Sequence, residues 1–247
     1  MFNTLKNRFE QGCRTSAYPK RAIELPARYR GLPQIDRDAP PALASKCAAA
    51  CPQAAIDAGK KMIDMGRCVF CGTCERLSEG RFVTFTRNFE LAVAEKDHLK
   101  TDGTLPALAD HARQHFKQLF GRSLQLRQVS AAGCNACEAD LNVLATPFFD
   151  LARFGINFVA SPRHADGIVV TGPISANMKA ALFETYAAVP APKVVIAVGS
   201  CALSGGPFRG SPAVSEGLDS LLPVDLFIPG CPPHPLTNLQ ALLNFFK

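Results

Sequence analysis

The chain has 247 residues, of which 47% are hydrophobic, so it can bury the core of one large domain or of two small ones. No apolar run approaches the roughly 18 residues that cross a bilayer, and residues 1–21 lack the hydrophobic segment and the twin arginine of an export signal, so we expect a cytoplasmic protein. The net charge of +6 is concentrated near the start, but no nucleic-acid motif follows, so we expect a basic arm that lies on a partner subunit.

Residues 1–40 are rich in Pro and Arg and show little periodicity, which predicts an extended basic arm. Residues 41–98 hold five cysteines, which predicts a small domain that a bound metal stabilises. Within this region, the alternation of apolar and polar residues in "FVTFTRNFELAVA" predicts a strand over residues 82–94. Residues 99–122 are typical of a polar linker that becomes helical.

From residue 123 onward the pattern changes to alternating strands and helices. Strands are predicted in "SLQLRQV", "INFVAS", "GIVVTG", "KVVIAVG" and "VDLFIPG". Helices are predicted in "EADLNVLA", in "SANMKAALFETYAA", which opens at Ser175, and in "PLTNLQALLNFF". Short apolar strands between helices indicate an α/β fold in which a parallel sheet is covered on both faces.

The ten cysteines point to metal ligation, because disulfides are rare in the cytoplasm. Four of them follow predicted strands: Cys134, Cys137, Cys201 and Cys231. Ligands of open α/β sheets bind beyond the carboxyl ends of the strands, so we expect these four thiols to converge. Zinc ligands usually come in paired local knuckles, whereas 63 residues separate Cys137 from Cys201, so the spacing favours a [4Fe–4S] cluster over zinc.

Four motifs carry a resemblance to a known family: "GCNACEADL", "SPRHADGIVVTGP", "GSCALSGG" and "IPGCPPHP". Together they resemble the small subunit of membrane-associated [NiFe] hydrogenases of the formate-hydrogenlyase type, which is related to the 20-kDa-type subunit of respiratory complex I. The resemblance implies a flavodoxin-like domain over residues 123–247. It also implies a proximal [4Fe–4S] cluster on the four strand-end cysteines, beside the nickel–iron site of a separate large subunit.

The cysteine spacing of the first motif differs between the hydrogenase subunits and the complex I subunits. Complex I subunits typically carry adjacent cysteines there, whereas this chain has Cys-x-x-Cys followed by Glu138, as the hydrogenases do. We expect Glu138 to act as a proton relay beside the cluster, with simple helix capping as the alternative. The resemblance also implies that Arg163 contacts the large subunit near the cluster and tunes its potential, with a surface turn as the alternative.

The region of residues 41–98 resembles the two-cluster, ferredoxin-like subunit of the same complexes through "CAAACPQAAI" and "GRCVFCGTCERLSEG". The family pattern is C-x2-C-x2-C-x3-C-P, twice, and the fourth cysteine of each run ligates the other cluster. One complete ligand set for a second [4Fe–4S] cluster remains: Cys51, Cys68, Cys71 and Cys74. The other ligand set is incomplete, because its positions hold Pro41, Ala44, Cys47 and Ser78, and only Cys47 of these is a cysteine. Cys13 and Cys47 are expected to be free thiols, and a zinc knuckle is the alternative for this region.

These features predict an electron-transfer subunit with two [4Fe–4S] clusters. It would connect a ferredoxin-like donor with the nickel–iron site of a [NiFe] hydrogenase large subunit. Other ferredoxin-like and membrane subunits would be further partners, and the complex would lie on the inner face of the cell membrane. A quinone-reducing module of the complex I type is one alternative, and a zinc-bearing nucleic-acid-binding protein is another.

Overall fold

The computed structural model describes residues 2–104 and 123–246, and the first of these segments begins with the arm. Helix α1 (Phe2–Gln11) opens the arm, and strand β1 (Pro33–Ile35) closes it. The expectation of an arm extended throughout is wrong. The apolar side chains of "FNTLKNRF" recur at helical rather than irregular spacing, and residues 33–35 gain backbone hydrogen bonds by pairing with a later strand.

Two small antiparallel sheets and two short helices form the cysteine-rich region. Its elements are α2 (Pro41–Ala49), β2 (Ile56–Asp57), β3 (Met62–Asp64), α3 (Thr73–Ser78), β4 (Val83–Phe85) and β5 (Lys100–Thr101). Strand β1 pairs with β4, and β3 lies between β2 and β5. The strand predicted over residues 82–94 is much shorter than expected and covers only Val83–Phe85. Its partner strand β1 has only three residues with which it can pair. The helical part of the predicted linker, from residue 105 to residue 122, lies outside the described residues.

A five-stranded parallel sheet follows. Its strands are β6 (Leu124–Ser130), β7 (Ile156–Phe158), β8 (Gly167–Thr171), β9 (Val194–Val198) and β10 (Leu226–Ile228). Its helices are α4 (Ala136–Val143), α5 (Ala176–Ala188), α6 (Gly199–Ser204) and α7 (Pro235–Phe246). The Ser175 side chain caps α5 by accepting a hydrogen bond from the Met178 amide, as the sequence predicts.

The strand order is β7-β6-β8-β9-β10, which is the doubly wound order of flavodoxin-like proteins. The predicted fold class is therefore confirmed. The chain leaves β6 toward one edge of the sheet and then returns to place β8 on the other side of β6. The topological switch point lies between the carboxyl ends of these two strands, which is where such folds bind their ligands.

Both faces of the sheet are covered. One face packs against α4 and α7 and also contacts Tyr18 and Leu25 of the arm. The other face packs against α5 and α6, and Met65 and Leu99 of the cysteine-rich region belong to the same apolar core as Leu203 of α6. The two halves of the chain thus share the apolar core on this face of the sheet.

The close approach of β8 and β9 gives a test of the packing. A Cβ added at Gly167 would lie 2.4 Å from the Val194 carbonyl oxygen of the neighbouring strand. We expect Gly167→Ala to lower the free energy of unfolding by about 1–3 kcal/mol, because backbone must move to admit the methyl group. Denaturant titration by circular dichroism measures this. The matched control is Gly59→Ala, whose added Cβ makes only an ordinary contact of 3.5 Å. An equal change in both variants would contradict the packing described.

Candidate metal centres

The four strand-end cysteines lie together at the carboxyl edge of the parallel sheet. Cys134 follows β6, and Cys137 lies in the first turn of α4. Cys201 lies in α6 directly after β9, and Cys231 follows β10. Cys134 and Cys231 are exposed and the other two are half-buried, so the group opens to solvent on one side.

Electrostatics shows that these thiols face a common space. Burial raises the pKa of Cys137 well above its usual range, and the charges of Cys201, Glu138, Cys231 and Cys134 raise it further. Burial, followed by the charges of Cys231, Cys134 and Glu138, raises the pKa of Cys201 to about 11. Charges that shift a pKa in this way belong to neighbouring groups in the fold.

Two glycines reserve room for the sulfur atoms. A Cβ at Gly199 would lie 2.6 Å from Cys137 Sγ, and a Cβ at Gly206 would lie 2.9 Å from Cys201 Sγ. Both residues have positive φ angles, of 86° and 53°, which disfavour any larger side chain. The glycines in "GSCALSGG" therefore shape the cysteine site itself.

The second predicted set also converges. Cys51, Cys68, Cys71 and Cys74 line one cavity whose remaining wall is largely apolar. Burial raises the pKa of Cys68 to about 12, opposed by the Phe70 amide and reinforced by the other three thiols. The pKa of Cys71 is lowered, because hydrogen bonds with Thr73 and backbone amides and the charge of Arg76 outweigh its burial.

The positions of the incomplete ligand set hold packed side chains. Ala44, Cys47 and Ser78 are fully buried, and Phe82 fills the same apolar core. The Cys47 thiol points to the Cys74 carbonyl oxygen at 3.7 Å and does not line the cavity of the four cysteines. Pro41 is the exposed first residue of α2. This arrangement agrees with one surviving site and one closed site in residues 41–98.

Two serines join the two cysteine sites. Ser200 Oγ lies 2.7 Å from the Cys68 carbonyl oxygen and 3.1 Å from that of Gly230. Ser204 Oγ lies 2.9 Å from the Gly66 carbonyl oxygen. Both serines are buried on α6, on either side of Cys201. Sequence reasoning missed them, although their four-residue spacing in "SCALS" places them on one helix face.

Arg30 of the arm was also missed. Its Nη1 donates to the Phe70 carbonyl oxygen at 3.4 Å, and its Nε lies 4.0 Å from Glu75 Oε2. A Cβ at Gly72 would lie 2.4 Å from Arg30 Nε, so the guanidinium group rests directly on the loop that follows Cys71. A positive charge is thereby held beside the second cysteine site.

Glu138 is buried at the switch point. Its Oε1 accepts hydrogen bonds of 2.6 Å from the Ser130 hydroxyl, at the end of β6, and from the Thr171 hydroxyl, at the end of β8. Burial raises the pKa of Glu138, but these hydrogen bonds and one from its own backbone amide outweigh it, so the pKa is lowered. The carboxylate therefore ties the helix of Cys137 to both strands. Its role as a proton relay stays a prediction.

Arg163 is not brought to the cysteines. It lies in an exposed turn that precedes β8, whereas the four thiols lie beyond the carboxyl ends of the strands. This position agrees with the alternative of a surface turn, and the contact of Arg163 with a large subunit stays a prediction. His234 is half-buried, and its Nδ1 accepts a hydrogen bond of 3.1 Å from the Leu236 amide at the start of α7.

The residues present fit a [4Fe–4S] cluster at each site. Four thiols converge in each case, which is the ligand set of such clusters. In the described parts of the chain, no group of three or more Cys, His, Asp or Glu side chains is arranged to hold a single metal ion. A zinc knuckle stays the alternative for the cysteine-rich region.

A flavodoxin-like sheet with four thiols at the carboxyl ends of its strands defines an α/β domain that binds a redox-active metal cluster.

Residues 134–245 match the family "NADH ubiquinone oxidoreductase, 20 Kd subunit". The chain is 42% identical to the probable membrane-bound hydrogenase subunit mbhJ of Pyrococcus furiosus, over 51% of this chain and 75% of that protein. It is 42% identical to formate hydrogenlyase subunit 7 of Escherichia coli, over 49% of this chain and 47% of that protein. It is 44% identical to an NADH-quinone oxidoreductase subunit of Roseiflexus sp., over 47% of this chain and 43% of that protein.

The chain belongs to the family of the 20 kDa subunit of NADH–ubiquinone oxidoreductase. This family carries a [4Fe–4S] cluster, and its members are subunits of oxidoreductase complexes. The predicted class of protein is therefore confirmed: the chain is an electron-transfer subunit of an oxidoreductase. The matched region covers about half of the chain and leaves the cysteine-rich region outside it.

The closed site gives a sharp test of ligand assignment in the cysteine-rich region. We expect Cys51→Ala to remove the cluster of that region while the strand-end cluster stays, whereas Cys47→Ala leaves both. After anaerobic reconstitution, wild type and Cys47→Ala should hold about eight iron and eight sulfide per chain, and Cys51→Ala about four of each. Iron and acid-labile sulfide assays measure this. Loss of half the iron in Cys47→Ala would contradict the assignment.

Proposed function

We propose that the chain carries two [4Fe–4S] clusters and relays electrons between a ferredoxin-like donor and the nickel–iron site of a hydrogenase large subunit. The ligands proposed are Cys134, Cys137, Cys201 and Cys231 for one cluster and Cys51, Cys68, Cys71 and Cys74 for the other. The complex would lie on the inner face of the cell membrane, in keeping with the membrane-bound hydrogenase relative.

The contact between α6 and the Cys68 loop is the observation that carries this proposal. Ser200 is the residue before Cys201, a ligand proposed for one cluster, and it bonds the backbone of Cys68, a ligand proposed for the other. Ser204 bonds Gly66 two residues earlier on the same loop. Arg209 adds a third tie by donating to the Gln53 carbonyl oxygen at 2.8 Å. Hydrogen bonds thus join the segments that carry the two cysteine sites.

Iron–sulfur clusters supply one-electron redox chemistry over potentials that depend on ligands, hydrogen bonds and exposure. The residues of this chain set those conditions. Apolar walls limit water around the Cys68 site, and Arg30 donates a hydrogen bond to the Phe70 carbonyl oxygen of the same loop. At the strand-end site, exposed Cys134 and Cys231 mark the side that a partner subunit would cover.

The choice of hydrogenase over a quinone-reducing module rests on the first motif. Sequence identity does not separate the two, because the hydrogenase and NADH-quinone relatives are 42% and 44% identical to this chain. Asn135 and Ala136 separate the two cysteines, and Asn135 has a positive φ of 69° that turns the chain into α4. Cys134 precedes this turn, and Cys137 follows it in the first turn of α4.

The partner complex decides between these functions. We expect a complex purified anaerobically through a tag on this chain to contain nickel and to oxidise H2 with a viologen acceptor. Nickel analysis and a hydrogen-dependent viologen assay measure this. A complex that lacks nickel and reduces a quinone analogue would replace the hydrogenase proposal with the complex I type module.

The serine contacts predict a local change in stability. We expect Ser200→Ala and Ser204→Ala each to cost about 1 kcal/mol of local stability, so amide hydrogen exchange over residues 66–71 should accelerate by about fivefold. Mass spectrometry of exchanged peptides measures this in the reconstituted chain. Ser45→Ala, an exposed change on α2, is the matched control. Unchanged exchange in both serine variants would show that these hydroxyls do not hold the loop.

A further inference from the structure

Helix α1 presents large apolar side chains to solvent. Phe2 is 90% exposed, Leu5 is 54% exposed and Phe9 is 88% exposed, and no residue of the helix is buried. Single exposed apolar residues are common on protein surfaces, but three on one short helix are not explained by the packing of the described residues.

The three side chains form one stripe. Residues at i, i+3 and i+7 fall within an arc of about 60° on an α-helix. Lys6 and Arg8 lie at the two borders of this stripe, and both are exposed. The opposite face carries uncharged polar residues: Asn3, Thr4, Asn7 and Gln11. Glu10 forms an exposed ion pair with Lys6 at 3.8 Å, which offsets part of the positive charge at one border.

Positive charge continues beyond the helix. Residues 2–31 contain seven Lys or Arg and two Asp or Glu, so they hold +5 of the net charge of +6. Arg14, Lys20 and Arg21 are exposed. The apolar stripe is therefore bordered and followed by cations, which is the pattern of a helix that lies in the plane of an anionic membrane surface.

We propose that α1 binds the anionic surface of a lipid bilayer, with Phe2, Leu5 and Phe9 inserted below the headgroups. Lys6 and Arg8 then reach the lipid phosphates while their aliphatic stems cover the border of the stripe. A groove on a partner protein would cover the stripe equally well. It would not account for cations on both borders and for the basic segment that follows.

The length of α1 fixes how it binds. Ten residues extend about 15 Å, which is half the thickness of the hydrocarbon core, so α1 lies along the surface. Among residues 2–104 and 123–246, no helix is both long and apolar enough to cross a membrane. The proposal goes beyond the proposed function, which does not require this chain to touch lipid.

The attachment of the arm keeps the cysteine sites free. The Ser16 amide donates to the Phe148 carbonyl oxygen, and Arg153 donates to the carbonyl oxygens of Ser16 and Tyr18. These contacts lie just before β7, at the amino edge of the sheet, whereas the strand-end cysteines lie at the carboxyl edge. A membrane bound through α1 would therefore leave the carboxyl edge to a partner subunit.

Vesicle binding tests the proposal with the anaerobically reconstituted full chain. We expect it to sediment with vesicles of phosphatidylglycerol and phosphatidylcholine, and at least about tenfold less with phosphatidylcholine alone, and salt should weaken the binding. Phe2→Ser/Phe9→Ser and Lys6→Gln/Arg8→Gln should each reduce binding to the anionic vesicles by at least about tenfold. The matched control is Phe208→Ser, which removes a Phe that is 48% exposed outside the arm.

Three results would overturn the proposal. The wild type fails to bind anionic vesicles, the Phe2→Ser/Phe9→Ser variant binds as well as the wild type, or the Phe208→Ser control loses binding to the same degree. If the wild type does not bind vesicles and Phe2→Ser/Phe9→Ser loses a protein from the purified complex, α1 contacts a partner subunit instead. Iron and sulfide contents separate this failure from that of the proposed function, because none of the proposed cluster ligands lies in α1.

Discussion

The hydrogen bonds from Ser200 and Ser204 to the loop of residues 66–68 are the contacts on which the account of this chain depends. They join a backbone carbonyl of one cysteine site to the helix that carries a cysteine of the other. Buried hydroxyls that lose such partners are costly, so each contact holds the two segments in one arrangement. Met65 and Leu99 pack in the same apolar core as Leu203 of that helix.

The placement of the strand-end site follows from the topology of the sheet. Reversal of strand order between β6 and β8 leaves a crevice at their carboxyl ends, and the loop of Cys134 and Cys137 begins there. Glu138 fastens this loop by accepting hydrogen bonds from both strands. The Glu138 carboxylate beside the two thiols thus has a structural role, because it positions α4 and with it Cys137.

Much of the α/β half could be predicted because its strands are continuous apolar runs between helices, and β8 and β9 are buried along their whole length. The convergence of its cysteines follows from the same pattern. The convergence of Cys51 with Cys68, Cys71 and Cys74 was predicted from a family pattern. The two alternatives for Arg163 stayed open because sequence proximity to a strand does not tell which edge of the sheet a side chain reaches. The roles of Ser200 and Arg30 could not be predicted, since each bonds a backbone atom distant in sequence.

We propose that both cysteine sites hold clusters and that these clusters lie next to each other in the folded chain. Electron paramagnetic resonance of the fully reduced, reconstituted protein tests this most directly, with Cys51→Ala and Cys134→Ala as the single-cluster references. We expect the wild-type spectrum to differ from the sum of the two variant spectra, because magnetic interaction between neighbouring clusters splits the signals. A wild-type spectrum equal to that sum would contradict it.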